Sequence, residues 1–182
     1  MPRVTPITDK SDVPAEYEAV VDGVLEVFGQ IRGPFSMLLH SPEVAERMLS
    51  FVRFFRTDCV VEPKERSLAI LTAVREREGA YVWSAQVAAA RRAGVREEAI
   101  DVIRQQGDPS ALTPDERDIV VYTRQLVQQN RIDQAAFDAL QTRHDAQWLV
   151  ELTVAANYYA LLCGVVNAFE VPAPSDGDKL PG

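Results

Sequence analysis

Apolar residues recur at spacings of three and four along almost all of this chain, and alternation at period two is scarce, so the sequence predicts an all-α fold. The punctuation agrees. A first helix opens at Pro14 and gathers Tyr17, Val20, Val21, Val24, Leu25 and Phe28 on one side, ending at Gly29 and Gly33-Pro34. A short helical piece covers Phe35 to Leu39, and Ser41-Pro42-Glu43 then supplies a cap, a first-turn proline and a dipole-matching acid for a helix through Phe55. Glu62-Pro63-Lys64-Glu65 starts the next helix, which Gly79 interrupts, and a further stretch runs from Tyr81 to Ala93 before Gly94. Arg96 to Gln106 reads as a short amphipathic helix, Thr113-Pro114-Asp115-Glu116 as a capping box, and Asp133 as a cap. The last helix, from about Gln147 to Val166, is apolar over most of its surface and is expected to be central to the core.

Composition narrows the class. At 182 residues, 47% hydrophobic and 25% charged, the chain reads as one globular domain rather than a disordered segment. The divisions expected are an extended segment at 1–12, a helical domain at 13–171 and a disordered tail at 172–182, where Pro172, Pro174, Asp176, Gly177, Asp178 and Pro181 have nothing to bury. A net charge of −8 weighs against nucleic acid and anionic membranes as partners. Met1 is followed by polar residues and prolines without an apolar stretch, and no uninterrupted apolar run nears the ~20 residues of a membrane span, so a soluble cytoplasmic protein is expected.

Few residues bear chemistry. Cys59 and Cys163 lie far apart in apolar surroundings and read as buried free thiols. His40 sits at a helix junction and His144 at a helix end. No histidine, cysteine or acidic cluster has metal-ligand spacing, and no glycine-rich phosphate loop or nucleophile elbow occurs, so no metal is expected. Arg91 to Glu98 has a helix–glycine–helix outline, but Glu97, Glu98 and Asp101 would repel phosphate, which favours a plain helical corner. Phe51, Phe54, Phe55, Tyr81 and Trp83 form an aromatic set interleaved with Arg53 and Arg56. That set suits core and interface packing, or an aromatic pocket with a cation for an anionic group.

Four stretches carry a family resemblance: His40 to Arg47, Lys64 to Leu71, Tyr81 to Val95, and Val150 to Val171. The second is similar to R-x-R-E-L-x-I-L and the third to Y-E-W-x-x-H-x-x-x-A-x-x-A-G-V. Together they resemble the carboxymuconolactone decarboxylase family, which includes the alkyl hydroperoxidase D-like proteins. The resemblance implies a single-domain helical bundle of that type and a homo-oligomer, as a dimer or a trimer of dimers. Redox members resemble E…C-x-x-C-x-x-x-H, in which a thiolate attacks, a second thiol resolves and a carboxylate–imidazole pair moves the proton.

Those positions fall here on Ser67, Gly79, Val82 and Gln86, so every one of the reactive groups is replaced. The motif therefore implies no thiol peroxidase and no cofactor. What remains is Ser67 and Gln86 as hydrogen-bonding residues at the catalytic positions, with Tyr81, Trp83, Phe54, Arg56 and Cys59 as candidate ligand contacts. Cys59 is the one thiol expected near the motif. The reading is a lyase- or isomerase-like enzyme on a small hydrophobic carbonyl or carboxylate compound; the alternative is a non-catalytic ligand-binding or assembly protein.

Overall fold

The computed structural model describes residues 1–181, and among them every α element lies where the apolar spacing places one, with no strand. The helices are α1 (Glu18–Phe28), α2 (Pro34–Leu38), α3 (Pro42–Thr57), α4 (Pro63–Glu76), α5 (Ala80–Arg92), α6 (Glu97–Arg104), α7 (Pro114–Gln129), α8 (Gln134–Gln141) and α9 (Ala146–Ala168). The helix expected from Pro14 begins only at Glu18, after a 3-10 turn over Ala15–Tyr17. The chain divides into two compact units.

The first unit comprises residues 1–59 and 165–172. Gly29 ends α1 at φ +74°, and Gly33 turns the chain at φ +58° into Pro34 at the head of α2. Gly23 lets α1 approach α3: a Cβ there would stand 2.9 Å from both Leu49 Cδ2 and Arg53 Nη2. Val21, Val24, Leu39, Ala45, Leu49, Val52 and Phe55 form the core. The leading segment is pinned by hydrogen bonds from the Arg3 amide to Phe169 O (2.9 Å) and from the Ile7 amide to Ser36 O (3.0 Å). His40 Nε2 contacts Thr5 O at 2.9 Å, the junction role its sequence position suggests.

The second unit comprises residues 60–164 and 173–181 of the described chain, and α4 is its hub, packing against α5, α6 and α7. Leu68, Leu71, Ala73 and Val74 of α4 are buried to 1% exposure or less, and Ile100, Ile103, Ile119, Val120, Leu140 and Leu152 join them. The capping box of α7 forms as its sequence predicts: the Thr113 amide donates to Glu116 Oε2 at 3.2 Å, and Thr113 Oγ1 accepts from the Glu116 amide. Asp133 caps α8 through the Ala136 amide (2.7 Å), and Asp145 caps α9 through the Trp148 amide (2.9 Å).

α9 is long and apolar enough to cross a membrane by length and composition, and half of that stretch is buried within the protein. It joins α4 through Trp148 and α7 through Thr153, as a core helix does.

Candidate functional site

Gly79 is the N-cap of α5, and its bare backbone is a packing requirement. A Cβ built at that position would overlap the Cys163 sulfur and lie 2.9 Å from Cys163 Cβ and 3.5 Å from Val74 Cγ1. The sulfur of α9 therefore fills the space a side chain at 79 would need. Cys163 is fully buried, and burial, only partly offset by the Arg77 charge, pushes its thiol up to about 12. Val82, one turn into α5, is likewise buried. Ser67 and Gln86 lie on the neighbouring helices α4 and α5, each half-buried, and no hydrogen bond joins them. Tyr81 is half-buried, whereas Trp83 is completely enclosed.

The Trp83 indole N–H donates to Asp178 Oδ1 at 3.1 Å. Asp178 also accepts from Arg91 Nη2 (3.2 Å) and from Arg104 Nη2 (3.0 and 3.3 Å), and the Arg104 guanidinium lies 5.8 Å from the Trp83 ring centre. Burial works against this carboxylate, but the Trp83 N–H and the two guanidiniums outweigh it and hold Asp178 below the usual carboxylate range. The described residues after 172 have no helix or strand, and they carry this carboxylate onto α5. No signal in the sequence marks Asp178 out from the other polar residues around it.

Ionisable groups gather at the opposite end of α4. Glu65 Oε2 accepts the Trp148 indole N–H at 3.2 Å, and Glu65 Oε1 lies 4.0 Å from His144 Nε2. The imidazole stacks on the Trp148 ring at 3.6 Å with a 7° interplanar angle. His144, at a helix end as its sequence position suggests, thus stands beside Glu65, a carboxylate two residues before Ser67 on α4. Glu116 receives Arg96 at 2.7 Å with Lys64 at 3.8 Å, and Arg96 holds its carboxyl down to about 2. Beside this region an open apolar hollow of about 290 Å³ is lined by Tyr122, Phe137, Gln141, Leu149, Val150 and Thr153, among others, and by none of the expected site residues. Thr153 Oγ1 donates to Leu149 O (2.7 Å), so Tyr122 OH is the donor in its 2.7 Å bond to Thr153.

Residues 42–125, from the start of α3 to within α7, match the carboxymuconolactone decarboxylase family model. That segment, a little under half of the chain, is similar to the family. Among solved structures, a variant of the debrominase Bmp8 in complex with 2,3,4-tribromopyrrole is similar at 16% identity and a TM-score of 0.74, with 96% of this chain and 95% of that one covered. An uncharacterized peroxidase-related protein from Ralstonia eutropha JMP134 with an alkylhydroperoxidase AhpD core is similar at 14% identity and a TM-score of 0.74, covering 95% of each chain. At such identities the likeness shows a shared AhpD-like helical fold. No curated protein matches the chain.

Against the carboxymuconolactone decarboxylase pattern, the sulfur that meets the motif helix comes from Cys163, a residue outside the motif. Cys59, expected to be the thiol near the motif, belongs to the first unit, where its amide donates to Phe54 O at 3.1 Å. Phe54 and Arg56 lie in that unit as well. Phe54 packs edge-on against Phe55 (5.6 Å), and Arg56 donates to Val27 O (2.7 Å) with its guanidinium 5.2 Å from the Phe28 ring centre. The cation expected to meet an anionic ligand is thus engaged at the C-terminal end of α1, where the helix dipole and a free carbonyl favour it. Among the described residues, no three histidine, cysteine or acidic side chains are grouped to hold a metal ion.

Proposed function

We propose that this protein acts without redox cysteines, as a lyase- or isomerase-like enzyme on a small hydrophobic carbonyl or carboxylate compound. The observation that carries the reading is the packing at Gly79, because the space for a thiol-bearing side chain on the motif helix is filled by the side chain of Cys163. With Val82 buried beside it, α5 offers hydrogen bonding rather than sulfur chemistry. Gln86 and Ser67 remain half-buried with no side-chain hydrogen bond to other described residues, so an amide and a hydroxyl are available to a ligand's oxygen. The debrominase of the same fold that holds 2,3,4-tribromopyrrole supports a small apolar ring as the kind of molecule this architecture takes. The protein is placed in the cytoplasm and needs no cofactor on this reading.

A second reading is favoured by the surface of α9. Val150, Val154 and Leu161 are 60%, 36% and 49% exposed at helical spacings, next to the open hollow, which suits a second copy of the chain and an assembly role. Sedimentation at micromolar concentration separates a dimer or larger assembly from a 20.2 kDa monomer.

The site itself is tested by screening small aromatic carboxylates and ketones by calorimetry against the wild type and Gln86→Leu. The expected result is binding that weakens about tenfold to a hundredfold in the variant, as loss of one or two hydrogen bonds to a charged or polar group produces, with an unchanged melting temperature. A variant with lowered stability and untouched affinities would make Gln86 structural and remove the site.

A further inference from the structure

The donors around Asp178 are arranged independently of the segment that carries it. Arg91 is fixed by two bonds to Glu97 (2.7 and 3.0 Å), and Arg104 is held by Asp101, both on α6. Arg104 spends Nη1 on Asp101 and turns Nη2 to Asp178, while Arg91 shares its Nη2 between Glu97 and Asp178; Trp83, the third donor, is fully buried. Three donors on two rigid helices converge on one carboxylate, which is the construction of a preorganised anion site. The acceptor, by contrast, comes from an irregular stretch. Its turn is seated by Gly177, where a Cβ would overlap Ser84 Oγ and stand 2.8 Å from Ser84 Cβ.

We propose that Trp83, Arg91 and Arg104 form a carboxylate-binding site on α5 and α6, and that residues 173–181 occupy it in cis with Asp178 as an internal ligand. A small free carboxylate takes the same three donors when the segment lifts away. The side chain of Asp178 is chemically an acetate group on a tether, so occupancy by the tether and by a free ligand are mutually exclusive. The tethered form wins at low ligand concentration because its effective concentration is high. This rests on the reading of a carboxylate-type ligand given above and shares Trp83 with it, but it concerns binding alone and does not require turnover.

Asp178→Ala empties the site while leaving every donor in place. Sodium acetate is the probe, with sodium chloride at equal ionic strength as the control, and both melting temperature and tryptophan fluorescence are read. Acetate is expected to raise the melting temperature of Asp178→Ala by several degrees and to bind it at least tenfold tighter than the wild type, with no such effect of chloride. Adding Arg104→Met to Asp178→Ala should abolish the rescue. Gly177→Val, which unseats the segment without touching a donor or the acceptor, should also bind acetate more tightly than the wild type. Should Asp178→Ala fail to fold, Asp178→Asn and Gly177→Val carry the same comparison. Equal acetate affinity in the wild type and all folded variants, or equal rescue by chloride, overturns the inference and reduces the contact to a structural clasp. Loss of ligand in Gln86→Leu with no acetate rescue here would retain the functional reading and reject this one.

Discussion

The two ends of α4 have opposite characters. At and just beyond its C-terminal end, Val74, Gly79 and Cys163 pack so closely that a single added carbon at 79 has no room. At its N-terminal end, Lys64 and Glu65 meet Glu116, Arg96, His144 and Trp148, a set of charges and hydrogen-bonding rings. The difference teaches that a family frame transmits its helix packing more faithfully than its chemistry: the α4–α5 hairpin persists while its reactive groups are gone.

The sharpest way to break the comparison is Gly79→Ala. Overpacking against a fully buried neighbour should cost about 3 kcal/mol, at the upper end of the range for forced insertions, and denaturant unfolding measures it. In a Cys163→Ala background part of that loss should return, since the sulfur is removed but the Cβ at 2.9 Å remains. Additive losses in the double variant would mean the two positions do not share the space.

At the other end, Glu116→Gln should cost about 2 kcal/mol, because it removes the negative charge and one of the two acceptor oxygens that face Arg96. Glu116 is depressed to about 2 by Arg96, so its contribution is fully present above the ordinary carboxylate range and is lost as pH falls from about 4.5 toward 2. The variant's stability should accordingly be flatter over that window than the wild type's.

Cys163 has the reverse sign. Its thiol is raised to about 12, so its contribution is intact below the ordinary thiol range and is lost as pH climbs through about 9 toward 12. The smallest effect expected is therefore kinetic: iodoacetamide at pH 8 should label half-buried Cys59 and leave Cys163 unmodified until the protein unfolds, as mass spectrometry of the labelled peptides reads. Rapid labelling of Cys163 in the native state would contradict the closed packing at Gly79.

Local grammar made the helices legible. Pro42, Pro63 and Pro114 stand at the first helical positions, as their neighbours predict, and Asn130 and Gly94 close α7 and the α5 corner with left-handed backbones. The site was legible only as replaced positions. Ser67 and Gln86 are named by alignment with a motif, whereas the contacts that decide the chemistry join residues 84, 95 and 83 apart in sequence: Gly79 with Cys163, Trp83 with Asp178, and Glu65 with Trp148. A glycine before a helix reads as a breaker and an aspartate among prolines reads as solvent-facing, because neither carries any mark of its distant partner. The Arg91–Glu97 pair, six residues apart across the glycine corner, agrees with the plain helical corner that the acidic residues there predict.

The central proposal is that this protein acts without thiol chemistry. The most direct test is hydroperoxide consumption by the wild type with dithiothreitol as reductant, set beside Cys59→Ser and Cys163→Ala. The account predicts that no protein consumes peroxide faster than an equal concentration of free cysteine and that the variants behave alike. Catalytic turnover that disappears on Cys163→Ala or Cys59→Ser would contradict it.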